Sequence, residues 1–373
     1  MKILQLGKFY PVRGGVERVM FDLMTGLSAR GIDCDMMCAE SSGHGAKSRI
    51  SPHSNLITHH TWVKAASTTI APSMAPELKK IAPDYDIIHV HHPDPMAALA
   101  LYVSGYKGKV VLHWHSDILK QRHLVKFYKP LQQWLIRRAD VIIGTSPEYI
   151  DHSPSLGVIK EKTACVPIGV ESLNPDTEGA DAIRKQFGNK KIVFFMGRLI
   201  EYKGLSHLVR AAAHMPDDYV VLIGGDGPLR EELQSLIDTH HLGKKVFLLG
   251  RIPQEKVEAY YTACDVFCLP SVMKTEAFGI VQIEAMSLGK PVVATRIPGS
   301  GTAWVNKHGE SGINVPVADP EALAKAVTDI CTDAERYSRY CTDARRRFES
   351  LFTIDRMIEN CIDIYNKLLS PTL

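Results

Sequence analysis

The sequence lacks the features of a secreted, membrane-spanning or disulfide-bonded protein. No apolar run approaches the roughly 20 residues that span a bilayer, and the start, MKILQLGKFYPVRGG, has too short an apolar run before Lys8 for a signal peptide. The eight cysteines include no CxxC pair and predict reduced core thiols. A net charge of +3 is too small to indicate a nucleic-acid partner. These absences predict a globular protein of the cytoplasm.

Short apolar runs alternate with helix-like segments along nearly the whole chain. The predicted strands lie at 1–7, 34–40, 86–92, 109–115 and 140–146, and in a second series at 191–198, 218–227, 245–251, 265–271 and 290–296. Such runs indicate parallel sheets covered by helices on both faces. Two series of similar size within 373 residues predict an α/β protein of two doubly wound domains, divided near 167–174 and followed by helices from Pro320.

The paired glycines Gly14 and Gly15 follow the first predicted strand and precede a predicted helix at about 16–30. Glycines there would let the backbone approach an anion at the helix N-terminus, although a plain strand–helix turn fits equally well. The gap from Gly7 is too long for the GxGxxG fingerprint. The later IGGDGPLREEL has no acidic residue ending the next strand, so a nicotinamide cofactor fits poorly.

Two cations, Arg198 and Lys203, lie in the segment GRLIEYKG after another predicted strand. Cations five residues apart in a loop suit the two sides of a diphosphate. On spacing alone, a pair of solvated surface cations is the better interpretation.

Histidines end two predicted strands, in HVHHP (89–93) and HWHSD (113–117). A metal site is one interpretation, but no carboxylate or cysteine completes a ligand set. We therefore expect no metal, and polar strand-end residues of which some face a ligand. His115, next to Asp117, is the best candidate.

Two DxD strings, at 33–35 and 84–86, precede their strands and are interpreted as surface turns.

The stretch 106–138 is strongly basic. Its cations, against the single acid Asp117, are Lys107, Lys109, Lys120, Arg122, Lys126, Lys129, Arg137 and Arg138. Leucines and aromatic residues are interleaved at helical spacing. A basic amphipathic helix can lie on an anionic membrane surface, and an ordinary helix with one face in the core has the same pattern, so both interpretations stay open. No nucleic-acid-binding motif accompanies the charge.

Two glutamates, Glu276 and Glu284, flank an uncharged run in TEAFGIVQIEA. On one helix they would lie about 12 Å apart along the axis, too far to share a proton. They could bind two ends of one long ligand or be unrelated.

These motifs together resemble the retaining glycosyltransferases of family 4, which have the GT-B fold of two Rossmann-like domains facing a cleft. The resemblance covers nearly the whole chain, and its most specific element is EAFGIVQIE, which matches the E-x7-E motif of that family. It also includes the Gly14–Gly15 loop, WHSD, PIGV, GRLIEYKG, GGDGPL, LGRIP and GKPVVAT. The stretch WVNKHGESGINVPVADPEAL is similar to the branch that makes surface polysaccharides.

The resemblance implies a division of labour between domains. Residues 1–170 would bind the acceptor, residues 171–350 the nucleotide sugar, and a helix in 351–373 would return to the N-terminal domain. The implied catalytic residues are His115, Glu276, Arg198 and Lys203. The implied donor-binding residues are Gly14, Gly15, Arg198, Lys203, Arg251, Ile252, Glu276, Phe278, Gly279, Ile280 and Glu284. Because His113 lies two residues before His115, either could face the sugar.

In these roles Glu284 would bind the ribose, and Arg198 and Lys203 the departing diphosphate. The expected activity is metal-independent hexosyl transfer, with retention and without a cofactor, from GDP-mannose in preference to a UDP-hexose. The expected acceptor is a lipid-linked or growing glycan of O-antigen, capsule or exopolysaccharide, at the inner membrane face. A glycoside hydrolase using both glutamates and a non-catalytic membrane assembly subunit are the alternatives.

Overall fold

The chain divides into two α/β units. A computed structural model describes residues 1–12, 14–40, 43–65, 68–118, 122–156, 159–188 and 190–370. One unit comprises Met1–Gly169 together with Ile354–Leu373, and the other comprises Val170–Thr353. In the part of the chain that is described, no helix combines the length and apolarity that crossing a bilayer requires.

The first unit is built around a large, mostly parallel sheet. Its strands are β1 Lys2–Tyr10, β2 Asp33–Glu40, β3 Gly45–Ser51, β4 Ser54–His60, β5 Val63–Ala65, β6 Thr68–Ile70, β7 Ile87–His92, β8 Lys109–Trp114, β9 Val141–Gly144 and β10 Thr163–Cys165. Its helices are α1 Gly15–Ala29, α2 Met74–Ile81, α3 Pro95–Ser104, α4 Arg122–Arg138 and α5 Pro147–His152. The strands are ordered β10-β9-β8-β7-β1-β2-β4-β3, with only β3 antiparallel to its neighbour, and β5–β6 form a separate hairpin.

The second unit has a fully parallel sheet. Its strands are β11 Lys191–Met196, β12 Tyr219–Gly224, β13 Val246–Gly250, β14 Val266–Leu269, β15 Val292–Thr295 and β16 Gly312–Val315. Its helices are α6 Thr177–Gln186, α7 Leu205–Ala212, α8 Arg230–Thr239, α9 Gln254–Ala263, α10 Ile280–Ser287, α11 Thr302–Val305, α12 Pro320–Cys331 and α13 Ala334–Leu351. The strand order is β13-β12-β11-β14-β15-β16.

The last helix, α14 Ile354–Leu369, belongs to the first unit and packs on α1. A Cβ atom at Gly26 would collide with Ile358, so this glycine lets the two helices approach closely. Arg30 also pairs with Asp355 across the two helices at 2.5 Å. The C-terminal end of the chain therefore completes the N-terminal unit.

Both sheets reverse their strand order at one point, and this positions the candidate site residues. In the first unit β1 lies between β2 and β7, and in the second β11 lies between β12 and β14. Ligands of open α/β sheets bind beyond the carboxyl ends of the strands at such a reversal. The Gly14–Gly15 loop follows β1, Arg198 and Lys203 follow β11, and Glu276 follows β14. The two DxD strings lie at the opposite, amino ends of β2 and β7, as predicted. The interpretation of both as surface turns is wrong for 33–35, because these residues begin β2 and Asp35 is buried.

Candidate functional site

The second unit brings the loops after β11 and β14 together. Lys203 lies in a 3₁₀ helix, Glu201–Lys203, that ends at Gly204. Gly204 has φ 65°, and a Cβ atom there would collide with the carbonyl of Pro270, which follows β14. Only glycine combines this left-handed backbone with such a close approach. The approach joins the loop that carries Lys203 to the loop that leads to Glu276.

Lys203 and Glu276 form an ion pair at that junction. Lys203 Nζ lies 2.5 Å from Glu276 Oε2, and each residue is 8% exposed. Ser271 donates a second hydrogen bond to the same carboxylate oxygen, at 2.9 Å, and Ser300 donates one to the backbone carbonyl of Glu276. The carboxylate is thus held by two side chains, and Arg198 on the same loop as Lys203 stays exposed.

The loop after β12, GGDGPL, supports the loop that carries Arg198. The amide of Leu199 donates to the carbonyl of Asp226, and the amide of Leu229 donates back to Leu199. Gly225 has φ 130°, and a Cβ atom at this position would overlap the carbonyl of Gly197. The glycines of GGDGPL therefore allow the loops after β11 and β12 to pack closely, and this packing holds the backbone at Arg198 in place.

The two glutamates of TEAFGIVQIEA occupy different elements. Glu276 lies in the loop before α10, and Glu284 lies inside α10 and is half-buried. Gly279 is the N-cap residue, with φ 77°, so the amides that follow it lie at the positive end of a helix, which favours an anion. Phe278 is buried beside it, and Ile280 begins the helix.

Glu284 is oriented by a tyrosine that the sequence analysis did not identify. Tyr261 on α9 is fully buried and donates a hydrogen bond to Glu284 Oε2 at 2.7 Å. Burial, together with the nearby carboxylate of Glu284, raises the pKa of Tyr261 well above its ordinary value, so it stays a donor. Nothing in the local sequence indicated this contact, because the two residues lie on different helices.

The remaining donor-site candidates also follow strands. Arg251 is exposed and Ile252 is buried, and both come directly after β13 at the edge of the second sheet. Gly14 is the N-cap of α1 and Gly15 its first residue, and both are exposed. Two exposed glycines at a helix N-terminus leave room for a ligand to approach the backbone closely, and a role for them in binding stays a prediction.

The histidines at the ends of β7 and β8 form a buried stack. His89, His91 and His113 are fully buried, and His115 is 6% exposed. Neighbouring rings in the stack lie 4.1 to 5.4 Å apart. We expected polar strand-end residues of which some face a ligand. The first three are enclosed because both faces of the parallel sheet are covered, which leaves His115 as the candidate. Of His113 and His115, only His115 reaches the surface.

Burial sets the charge of these rings. It lowers the pKa of His113 and of His92 to about 3 and the pKa of His89, His91 and His115 well below the ordinary value, with like-charged neighbours adding to the effect for the last three. Neutral imidazole is the form that binds metals, and single ring nitrogens of His89, His91 and His113 lie within 4.8 Å of one another. Their planes are only 10 to 30° apart, so the in-plane lone pairs run side by side instead of converging.

Asp117 makes hydrogen bonds that hold its own loop in place. Its carboxylate accepts from the Trp114 indole at 3.0 Å and from Ser153 at 2.8 Å, and its backbone amide donates to the Tyr149 hydroxyl at 2.6 Å. Trp114 in turn stacks on His92 at 3.6 Å. These contacts hold the loop that follows His115.

Comparison with known proteins identifies the family. Residues 177–347 match the family described as Glycosyl transferases group 1, and residues 13–172 match Glycosyltransferase Family 4. O-antigen chain mannosyltransferase C of Escherichia coli is 32% identical over 373 residues, which cover 99% of each chain. The chain belongs to glycosyltransferase family 4. The D-rhamnosyltransferase WbpZ of Pseudomonas aeruginosa is 31% identical to this glycosyltransferase over 95% of its chain and 92% of WbpZ.

Solved structures share the fold. The UDP complex of Anabaena HepE superimposes with a TM-score of 0.80 at 21% identity, over 98% of this glycosyltransferase and 100% of HepE. Sucrose-phosphate synthase of Thermosynechococcus elongatus gives a TM-score of 0.76 at 22% identity, over 100% of both chains. The predicted GT-B fold of two Rossmann-like units is confirmed.

Proposed function

We propose that this glycosyltransferase is a retaining, metal-independent hexosyltransferase that uses a nucleotide diphosphate sugar, with GDP-mannose as the first candidate. The acceptor is a lipid-linked or growing glycan of a surface polysaccharide such as O-antigen. The observation that carries the proposal is the arrangement around α10. The loop that carries Glu276, paired with Lys203, leads to the N-terminus of this helix, and Glu284 lies within it.

Each group of that arrangement suits one part of a nucleotide sugar. Glu284, oriented by Tyr261, has a carboxylate that can accept from ribose hydroxyls. The amides of Phe278, Gly279 and Ile280 suit phosphate oxygens at the helix N-terminus. Arg198 and Lys203 balance the charge that develops on the leaving diphosphate, which is work that a divalent ion would otherwise do. No cofactor is needed for such a transfer.

The names of two relatives support a manno-configured sugar. One is an O-antigen chain mannosyltransferase and the other a D-rhamnosyltransferase, and D-rhamnose is 6-deoxy-D-mannose. The similar Anabaena HepE was solved with UDP and with UDP-glucose, which keeps UDP-hexoses among the candidates. GDP-mannose is therefore preferred, with UDP-hexoses next.

A surface on α3 and α4 supports attachment to an anionic membrane. Leu99, Tyr102 and Val103 on α3 are 41 to 56% exposed, and Phe127 on α4 is 86% exposed. Lys126 and Lys129 flank Phe127 and are exposed. We call this set the α3–α4 surface. Apolar side chains ringed by lysines suit the headgroup region of an anionic bilayer, where the acceptor lipid would lie.

The structure also narrows the basic stretch 106–138. It includes the predicted strand β8 as well as α4, so only its cations from Arg122 onward lie on the helix. Lys120 lies outside the described residues.

The test is a thermal-shift panel of GDP-, UDP- and ADP-sugars. A ligand that binds only the folded state raises its melting temperature. At a ligand concentration of a hundred times Kd, the free energy of unfolding rises by about 2.7 kcal/mol. We expect GDP-mannose to give the largest shift, and Glu284→Ala to reduce it. No shift with any nucleotide sugar would favour a non-catalytic assembly subunit, and cleavage of an aryl glycoside without nucleotide would favour a hydrolase.

A further inference from the structure

A chain of hydrogen bonds connects the core of the first sheet to His115. Gln5 lies in the middle of β1 and is fully buried. Its Oε1 lies 2.7 Å from His91 Nε2, and His91 Nδ1 lies 2.9 Å from His115 Nε2. The chain therefore crosses from β1 through β7 to the end of β8.

The chemistry of each group fixes the positions of the hydrogens. The amide nitrogen of Gln5 faces Cys34 Sγ at 3.6 Å, and its oxygen is the atom that contacts His91. A carbonyl oxygen only accepts, so the hydrogen in the first contact belongs to His91 Nε2. A neutral imidazole carries one hydrogen, so His91 Nδ1 is bare and must accept from His115 Nε2.

The other nitrogen of His115 is then left without a hydrogen. His115 Nδ1 is buried, and no group of the described residues lies within hydrogen-bond distance of it. A bare nitrogen can accept a hydrogen bond from a hydroxyl group but cannot donate one.

We propose that Gln5 and His91 are positioning residues that hold His115 in one neutral tautomer, with hydrogen on Nε2 and a bare Nδ1, so that it acts only as an acceptor toward a sugar hydroxyl. The role toward sugar rests on the proposed function, whereas the tautomer itself does not. His115 would consequently select for ligands that present a hydroxyl at this point, and a group that can only accept would be disfavoured.

Two neighbouring contacts do not lead to His115, and one of them provides a matched control. Cys34 contacts the amide nitrogen of Gln5, and Tyr365 on α14 lies 2.6 Å from His89 Nδ1 through its hydroxyl. Cys34→Ala leaves the contact between Gln5 and His91 in place. A change that acts only through core packing should appear in this variant as strongly as in a Gln5 variant.

The primary experiment is long-range ¹H–¹⁵N NMR of the full chain labelled with ¹⁵N-histidine, without any donor, near neutral pH. The His115 signals are assigned by their loss in His115→Asn. We expect hydrogen on Nε2 and a bare Nδ1 in the native chain and in Cys34→Ala. Gln5→Leu should populate the other tautomer, and Gln5→Glu, which keeps an acceptor toward His91, should restore the native pattern.

The kinetic readout uses release of the nucleoside diphosphate from GDP-mannose, or from the sugar that gives the largest thermal shift. We expect Gln5→Leu to lower kcat by about tenfold with KM for the donor within about twofold, and Gln5→Glu and Cys34→Ala to stay near native.

The hydrogen on Nδ1 of native His115, a titrating imidazolium near neutral pH, or a bound metal ion at the stack would each overturn the proposal. Because the NMR needs no donor, failure of every nucleotide sugar to bind would reject the proposed function and leave the tautomer result intact. If Gln5→Leu fails to fold, the native spectrum alone decides.

Discussion

The ammonium group of Lys203 lies 2.5 Å from Glu276 Oε2, and each of the two side chains is 10% exposed. Both residues are proposed to contact the donor, yet in the structure they neutralise each other. A buried cation left alone would be costly, so the pair keeps the site stable before the diphosphate arrives. In the proposed mechanism, binding of the diphosphate would give Lys203 a second anionic partner at the moment when charge develops.

Removal of Lys203 should lower both the stability and the turnover, and a second substitution at Glu276 should restore only the stability. Lys203→Met leaves Glu276 as an unpaired buried carboxylate, so we expect a loss of about 3–5 kcal/mol in the free energy of unfolding and a large fall in kcat. Lys203→Met/Glu276→Gln should regain most of the stability but none of the turnover. Arg198→Ala, at an exposed position, should lower kcat more than donor affinity and leave the melting temperature unchanged. Native kcat in both cation variants would reject their role at the diphosphate.

The hydrogen bond from Tyr261 to Glu284 should matter for donor binding. We expect Tyr261→Phe to raise the donor Kd by roughly five- to tenfold, since one orienting hydrogen bond is worth about 1 kcal/mol, and Glu284→Ala to raise it further. Isothermal titration of the nucleotide sugar provides the measurement. Tyr260→Phe is the matched control, because that ring stacks on Phe194 from the neighbouring position. Equal effects of the two phenylalanine variants would mean that Tyr261 acts only through packing.

The buried histidines should make the N-terminal unit sensitive to acid. Five of them, at 89, 91, 92, 113 and 115, have a lowered pKa in the folded state because of burial. Below pH 6.5 the unfolded chain binds protons that the folded chain does not, so stability falls as the pH falls. At pH 5.5 each contributes a loss on the order of 1 kcal/mol, and the five together several kcal/mol, which is a large part of the stability of a domain.

Urea unfolding between pH 8 and pH 5 would measure that loss. The slope of the free energy of unfolding against pH gives the number of protons taken up on unfolding, and His113→Leu should lower that number by about one. Within the part of the chain that the structure describes, neither nitrogen of His113 has a hydrogen-bond partner, so this replacement should not break a hydrogen bond. Stability independent of pH across this range would show that the histidines are charged or solvated in the folded state.

Activity should persist after removal of metal ions. Lys203 and Arg198 are proposed to supply the positive charge for the diphosphate, so we expect kcat within about twofold of its native value in excess EDTA. Complete loss in EDTA, restored by Mn²⁺ or Zn²⁺, would contradict this mechanism. Metal analysis of the purified chain, before and after EDTA, distinguishes an ion at the histidine stack from one bound with the donor.

The α3–α4 surface should bind vesicles that contain phosphatidylglycerol and not neutral ones. Near an anionic membrane each lysine contributes about 1 kcal/mol, so Lys126→Ala/Lys129→Ala should weaken cosedimentation by roughly 30-fold, with strong dependence on salt. Phe127→Ala should weaken binding without changing that salt dependence. Met273→Ala, an exposed apolar position in the second unit, serves as the control. Unchanged binding in all α4 variants would reject the surface.

The sequence predicted the strands that form the centre of each sheet, because their apolar runs are buried on both faces. All ten predicted strands are present, whereas β3 to β6, β10 and β16 were missed. The missed strands are short, polar or at an edge: β3, for example, is mostly exposed. Runs of this kind lack the apolar pattern on which the prediction depends.

The candidate site could be predicted only as far as the motifs reach. Glu276, Glu284, Arg198 and Lys203 follow strands at the expected ends. The partners of these residues could not be found, because Tyr261 is set against Glu284 by packing between helices. Gln5 and His91 likewise meet across a strand pairing 86 residues apart in sequence. Periodicity indicates which residues are buried, but contacts of this kind depend on register across a sheet.

The return of α14 to the first unit affects the order in which the chain can be completed during synthesis. Tyr365, which caps the histidine stack through His89, is translated only after the whole of the second unit. Until then, the ribosome-bound N-terminal sheet lacks the helix that covers α1 and one hydrogen-bond partner of its buried histidines. The first domain to emerge from the ribosome is thus the last to be finished.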